Sequence, residues 1–353
     1  MEILVVTGVE FGDRLFRGRT WSVAAPAEIA ELIAALHQHA GTERGGNDHL
    51  TALRMAASRR ASAITSAFAP DVIVSTSHRG VFGEADDLLR SSRERGCRLV
   101  LALRDIYYPP MYVDDFGSMS GNEFDLVLVA GRSATQEWLP EGLFDGGLAP
   151  KVRLVGYLRP VGPQPAPVTA WGESLRVRCQ VGGGRDGARL VAAVADALAA
   201  LRRRSGRRVE LLATTGPLMP AAEASALQSI DQADTQIRPW SDDIVGPAAA
   251  LEPRPDVVVS MAGYNSCVEA AWSGVPRVLV PRQKPDDLEQ AIRARLFAKW
   301  FSSISTASLE HPHGLSPAIE AAAAAKATKH PSTEPVHVFA DPRLVASAVL
   351  GLS

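Results

Sequence analysis

Short, apolar, β-branched runs alternate with longer helix-period segments along most of this chain, and that alternation is the pattern of βα units that build parallel sheets. In the first half the pattern predicts strands at 2–6, 71–75, 98–103, 126–130 and 152–155, with helices at 27–38, 50–68 and 84–95. Pro160, Pro163, Pro165 and Pro167 then fall between 157 and 171, where neither a helical nor an alternating period survives, so this stretch reads as a linker. Beyond it the rhythm restarts: strands at 175–180, 209–213, 256–260 and 277–280, and helices at 186–203, 264–273 and 288–301.

A chain of 353 residues is long for one core, so two domains are expected. The fold class is α/β: two doubly wound, Rossmann-like domains over 1–156 and 172–353, facing a central cleft, with the last helix free to pack back on the N-terminal half. A ligand belongs at the carboxyl ends of the strands, in that cleft. With 46% hydrophobic and 22% charged residues, disordered and fibrous classes are set aside.

A net charge of −2 gives no footprint for nucleic acid. The basic run Arg202, Arg203, Arg204, Arg207 and Arg208 reads as the solvated end of a helix, where cations suit the dipole. Cys97, Cys179 and Cys267 form no CxxC pair, so neither a zinc site nor a disulfide framework is expected. The N-terminus lacks a basic leader, and no apolar run approaches the roughly 20 residues that span a bilayer. The expectation is a soluble, cytoplasmic protein with no transmembrane segment.

The strongest local signal runs from Asp256 to Pro276: a buried strand passes straight into Gly263 and then a helix. A helix start presents free N–H groups and partial positive charge, and a glycine there lets an anion such as phosphate approach closely. Glu269 is the one charged residue of that helix, and a carboxylate accepts two hydrogen bonds from a ribose diol. The blander readings are a tight turn at Gly263 and a solvated Glu269. A second strand–glycine–helix unit, Gln180 to Leu190, places Gly182, Gly183 and Gly184 where they keep the cleft wall low, with Asp186 as N-cap; its spacing is not the dinucleotide fingerprint. After the strand at 277–280, Asp286 or Asp287 is a candidate cap. That leaves Glu289 and Gln290 either to meet sugar hydroxyls or to serve as ordinary first-turn polar residues.

The run Ser260-Met-Ala-Gly-Tyr-Asn-Ser266, with Glu269, Gly274-Val-Pro276, Pro281-Arg282, Glu289-Gln290 and Arg293-Ala294, resembles the C-terminal domain of glycosyltransferase family 28. A related bacterial group of glycosyltransferases shares Leu103-Arg-Asp-Ile106, Val155-Gly-Tyr-Leu158, Gly182-Gly-Gly184 and Thr215 to Pro220. The resemblance covers about 98–296 and is most specific over 256–293. It implies a GT-B fold, an NDP-sugar co-substrate with UDP-sugar favoured, no cofactor and no obligatory metal, and a hexosyl transfer, inverting at the anomeric carbon, to an acceptor hydroxyl bound by the N-terminal domain. By the same resemblance Ala262, Gly263, Tyr264 and Asn265 hold the diphosphate beside Gly183 and Gly184. Glu269 takes the ribose, Glu289 and Gln290 take the donor sugar, and the loop carrying Trp240 borders the base. Arg282 and Lys284 would steady the leaving diphosphate. Independently, the chain contains no Asp-x-Asp, the chelating motif of the other glycosyltransferase architecture.

The N-terminal domain departs from the pattern. Relatives carry a Gly-His loop after the first strand, where this chain has Thr7-Gly-Val-Glu-Phe-Gly-Asp-Arg14. The candidate bases are therefore Asp13, then His78, with Asp105 as a residue open to a capping role. The rival readings are hydrolysis or epimerisation of a nucleotide sugar on the same fold, and a non-catalytic nucleotide-sugar-binding protein.

Overall fold

A computed structural model describes residues 4–7, 19–22, 48–76, 86–107, 123–140, 142–158, 174–230, 234–239, 254–282, 288–328 and 338–351. Two compact units emerge: Met1–Asp105 with Tyr112–Gly156 and Asp341–Ser353, and Ile106–Met111 with Tyr157–Ala340.

In the first unit, β1 (Leu4–Thr7) pairs in parallel with β2 (Arg19–Ser22), a strand with no counterpart in the sequence expectations. Helices α1 (Asp48–Phe68) and α2 (Asp86–Glu94) alternate with β3 (Val72–Ser75), β4 (Arg98–Arg104), β5 (Leu126–Ala130) and β6 (Val152–Leu154). The last four form a parallel sheet in sequence order. β5, Leu-Val-Leu-Val-Ala, is buried along its whole length, as the uninterrupted apolar run of a central parallel strand should be. The expected helix at 27–38 lies outside the described residues.

The second unit is one six-stranded parallel sheet with helices on both faces. In chain order it comprises β7 (Ser174–Gln180), α3 (Ala188–Ser205), β8 (Arg208–Thr214), α4 (Ala221–Gln228), β9 (Thr235–Arg238), β10 (Val257–Met261), α5 (Tyr264–Ser273), β11 (Arg277–Val280), α6 (Glu289–Trp300), β12 (Ile304–Thr306) and α7 (Leu315–Thr328). Across the sheet the order is β12-β11-β10-β7-β8-β9. Leu190, Val191, Val194, Leu198 and Leu201 lie on one stripe of α3 and bury it against alternate residues of β7 and β8, including Val177, Cys179, Val209 and Leu211. The opposite face is closed by α5 and α6 through Cys267, Val268, Leu279, Ala294 and Phe297.

The chain then returns to the first unit. Helix α8 (Pro342–Leu350) is capped by Asp341, and Val345, Ala348 and Val349 pack on Val100, Leu126 and Leu128. Arg98 Nη2 donates to Ala348 O at 3.2 Å. Tyr157, read from the sequence as the first linker residue, is fully buried in the second unit, where it bridges Phe339 and meets Phe297 edge-on.

The basic run closes α3. Gly206 at the C-cap takes φ 66°, while Arg202 donates to Val209 O and Thr235 Oγ1 and Arg204 pairs with Glu320. Among the described residues, no helix is long and apolar enough to cross a membrane.

Candidate functional site

The sheet of the second unit fixes where a ligand belongs. β7, β8 and β9 are laid down in one direction, after which the chain returns to the other side of β7 to add β10, β11 and β12. The loops leaving β7 and β10 therefore diverge to opposite faces, opening the crevice at the carboxyl ends where doubly wound sheets take ligands. The glycine-rich stretch at 182–184 leaves β7, and Ala262-Gly263 leaves β10.

Gly263 is the N-cap of α5, with φ −64° and ψ 158° and no side-chain cap on the helix. That backbone suits any residue, and an added β-carbon would meet no atom of the described residues within 4 Å. Neither conformation nor packing thus requires a glycine here. The first turn of α5 presents the amides of Tyr264, Asn265 and Ser266; Cys267 N–H is the first to bond back, to Gly263 O at 3.0 Å.

Glu269 is a turn and a half further along α5. Its Oε1 accepts from Arg277 Nη2 at 3.0 Å, so the carboxylate is not simply solvated. Arg277 opens β11 and is fully buried; its Nη1 also donates to Ser266 O at 2.9 Å. One arginine thereby straps α5 to the sheet and holds the carboxylate's charge.

Helix α6 supports the same loops. Glu289 Oε1 accepts from Arg293 Nη2 at 2.7 Å, and Arg293 Nη1 donates to Ala262 O at 3.3 Å. The Arg293 guanidinium also lies 5.9 Å from the Tyr264 ring centroid. Gln290 Oε1 accepts from the Arg282 backbone N–H at 3.0 Å, and Arg282 Nη1 donates to Asp186 Oδ2 at 3.2 Å. The loops after β7 and β11 are thus tied by Asp186 and Arg282, and α6 holds the loops after β11 and β10 through Gln290 and Arg293; of these side chains Arg282 and Gln290 were expected to face a ligand directly. Two capping expectations are corrected. Gly187, not Asp186, is the N-cap of α3, because Asp186 turns to Arg282. Leu288 is the N-cap of α6, while Asp286 and Asp287 lie outside the described residues.

The glycines after β7 do more than keep a wall low. Gly184 has φ +87°, and a β-carbon there would come within 2.5 Å of Gly216 Cα; one on Gly216 would come within 2.3 Å of Gly183 C. Gly183 faces the Leu218 side chain, and Leu218 N–H donates to Gly183 O at 2.7 Å. The loop at 182–184 is packed backbone to backbone on the loop at 215–218.

Of the remaining expectations, Asp13, His78, Trp240 and Lys284 lie outside the described residues. Asp105 is fully buried at the end of β4, with Gly131 so close that a β-carbon on the glycine would sit 2.9 Å from Asp105 Cβ. All three cysteines are free and buried, and burial pushes the Cys179 thiol up to about 12. No cluster of His, Cys, Asp and Glu suited to a metal occurs among the described residues.

Sequence reasoning gave no role to three buried arginines, Arg178, Arg277 and Arg293. Their signal was a cation set among apolar neighbours, which in Leu175-Arg-Val-Arg-Cys179 passes for the wet side of an alternating strand.

Residues 178–341 match the family model for the glycosyltransferase family 28 C-terminal domain. No curated protein matches the chain by sequence. Among solved structures, the chain is similar to the glycosyltransferase of kitacinnamycin at 13% identity and TM-score 0.52, covering 99% of this chain and 92% of that one. It is similar to UGT89C1 of Arabidopsis thaliana in complex with UDP-L-rhamnose at 14% identity and TM-score 0.52, covering 99% and 87%. It is also similar to a Listeria monocytogenes protein described as a UDP-N-acetylglucosamine 2-epimerase, at 10% identity and TM-score 0.55, covering 99% and 96%. At such identities the likeness speaks for the fold, which is that of the GT-B glycosyltransferases. The parallel α/β units and the sequence match agree: residues 178–341 are similar to the glycosyltransferase family 28 C-terminal domain.

Proposed function

We propose that this protein is an inverting, metal-independent glycosyltransferase that moves a sugar from a nucleoside diphosphate sugar to an acceptor hydroxyl. The observation that carries the reading is Gly263, a glycine required by neither backbone nor packing, which leaves open space at the amino end of α5. A diphosphate there receives the first-turn amides and the positive end of the helix dipole, which supply charge stabilisation without a metal. Glu269 lies six residues along the same helix, about 9 Å at 1.5 Å per residue, a fitting reach from a phosphate to a ribose diol. Gly183 and Gly184 border the nucleotide, Trp240 borders the base, and Lys284 adds charge near the leaving group. Gln290 meets the donor sugar, with Glu289 acting beside it through Arg293, and Arg282 is held near the diphosphate by Asp186.

The acceptor oxygen attacks the anomeric carbon from the side opposite the diphosphate, and the C–O bond to the diphosphate breaks as the new glycosidic bond forms. A general base takes the acceptor proton; Asp13 is the first candidate and His78 the second. The cytoplasmic location expected from the sequence belongs to the same proposal.

The test is nucleotide release from a panel of nucleotide sugars, with and without candidate acceptor alcohols and in chelator. Release that requires an acceptor and survives chelation supports the proposal. Acceptor-independent release, or a changed sugar still joined to its nucleotide, would favour hydrolysis or epimerisation. The epimerase chemistry ascribed to one similar structure makes that second outcome worth measuring.

A further inference from the structure

One buried charge in the second unit is unused by anything described so far. Arg178 lies mid-strand on β7 with 3% of its surface exposed, and its Nε and Nη2 have no hydrogen-bond partner among the described residues. Burying guanidinium N–H groups unmet is among the more expensive choices a fold makes, since the desolvation is not recovered. The two orphaned nitrogens are not arbitrary. Nε–H and the adjacent N–H of Nη2 run parallel along one edge of the guanidinium, a fork that takes two neighbouring acceptor atoms at once.

The register says where that fork lies. Leu175, Val177 and Cys179 enter the core under α3, so Arg178 faces the other side of the sheet, the side covered by α5. It pairs across to Val258, which pairs in turn with Arg277, so the two arginines flank one valine in a row across the strands. Burial is the main influence lowering the Arg178 pKa from the ordinary arginine value; Glu269 opposes the shift, and Arg238 and Arg277 add to it. The side chain therefore lies within electrostatic reach of the carboxylate assigned to the ribose and of the last residue of β9.

We propose that Arg178 reads the donor's nucleobase, its side-on fork taking a base edge that carries two adjacent acceptors. The inference rests on the donor reading above. With the diphosphate at Gly263 and the ribose at Glu269, the nucleoside runs down α5, and Arg178 stands one valine across the sheet from Arg277, the partner of Glu269, on the side where the base arrives. Guanine offers O6 beside N7, the pair that arginine takes bidentately in nucleic acids. Cytosine offers O2 beside N3. Uracil and thymine place an N–H between their two carbonyls, and adenine sets an amino group beside N7 and N1, so each confronts the fork with a donor or a single acceptor. The chemistry thus favours a guanine or cytosine diphosphate sugar over the uridine donor that the family resemblance suggests.

Calorimetry of the full-length protein with GDP, CDP, UDP, dTDP, ADP and inorganic pyrophosphate tests this, using wild type, Arg178→Met and Arg178→Lys. The expected result is GDP or CDP binding at least tenfold tighter than the other nucleotides. Arg178→Met should erase that preference and leave pyrophosphate affinity within twofold, and Arg178→Lys, which lacks the planar fork, should not restore it. Since Nε and Nη2 make no hydrogen bond among the described residues, Arg178→Met should melt no lower than wild type, and a drop in melting temperature would show a structural role instead. Equal binding of all five nucleotides, a uridine preference, an unchanged preference in Arg178→Met, or an equal loss of pyrophosphate affinity would each overturn the assignment while leaving the donor reading intact. Failure of every nucleotide to bind wild type would sink the donor reading and this inference with it.

Discussion

Glu269 Oε1 accepts from Arg277 Nη2 at 3.0 Å, and the carboxylate keeps 16% of its side-chain surface while the guanidinium keeps none. The acid proposed to take the ribose is thus braced by a cation that water does not reach. Glu269→Ala should act twice. Leaving Arg277 buried without its counter-charge should destabilise by about 3–5 kcal/mol, and loss of the ribose acceptor should weaken nucleoside diphosphate binding by about 1.5–3 kcal/mol. Glu269→Gln retains an acceptor for Arg277 and should unfold nearer wild type while still losing affinity. Denaturant melts and calorimetry separate the two effects; full affinity in Glu269→Gln would remove the residue from the site.

Gly263→Ala isolates the ligand's demand from the protein's. With φ −64° and no described residue in the way, the substitution should change stability by less than about 1 kcal/mol, the scale of an N-cap exchange. Diphosphate affinity should nevertheless fall, and fall further in Gly263→Val. Undiminished binding in the valine variant would place the anion elsewhere.

The glycine loop behaves in the opposite way. Gly184→Ala forces a β-carbon to within 2.5 Å of Gly216 Cα at a φ of +87°, so both sterics and backbone oppose it, and a loss of more than about 2 kcal/mol is expected. Gly183→Ala meets only the end of the Leu218 side chain at 3.3 Å and should be milder. Equal melting temperatures for the two variants would mean that the loops part easily.

That contrast shows what the sequence made legible. Central strands such as β10 and β5 announce themselves, because a strand buried on both faces must be apolar throughout. The edge strands β9, Thr-Gln-Ile-Arg, and β12, Ile-Ser-Thr, did not, since an edge buries little and leaves no periodic trace. That a helix starts at Gly263 and carries Glu269 was readable because helix-start signals are local. Arg277 and Arg293 were not, because each is explained by a partner brought near by the fold: Glu269 across a helix–strand connection, and Ala262 from a different strand's end. The caps were misassigned for the same reason, Asp186 having a better partner in Arg282 than its own helix.

Cys179 supplies a pH prediction. Burial raises its pKa from 9.0 to about 12, so the folded state holds the proton more tightly than the unfolded chain does. Its contribution is fully present below pH 9 and is lost as pH rises through 9 toward 12. By pH 10 wild type should have lost about 1.4 kcal/mol more stability, relative to pH 8, than Cys179→Ala. Parallel pH profiles for the two proteins would show that the thiol titrates normally. Iodoacetamide at pH 8 should likewise leave Cys179 unmodified until the protein is unfolded.

Arg293 tests whether α6 serves the nucleotide site by contact or by support. It is fully buried, donates to Ala262 O at 3.3 Å and Glu289 Oε1 at 2.7 Å, and lies against the Tyr264 ring, so it contacts the two residues that flank Gly263 and the first residue of its own helix. Removing it in Arg293→Met unties the loop without touching any atom a diphosphate would meet, and nucleoside diphosphate affinity should fall about tenfold, or about 1.4 kcal/mol. Glu289→Ala should weaken the free diphosphate and the diphosphate sugar by the same factor, because its effect passes through Arg293 to the loop. A residue that gripped the donor sugar directly would weaken only the sugar-bearing ligand. The double variant should then lose little more than the worse single one, as expected of two residues acting as a unit. If Glu289→Ala spares the free diphosphate and costs affinity for the nucleotide sugar alone, the carboxylate touches the sugar, and the supporting role assigned to α6 falls.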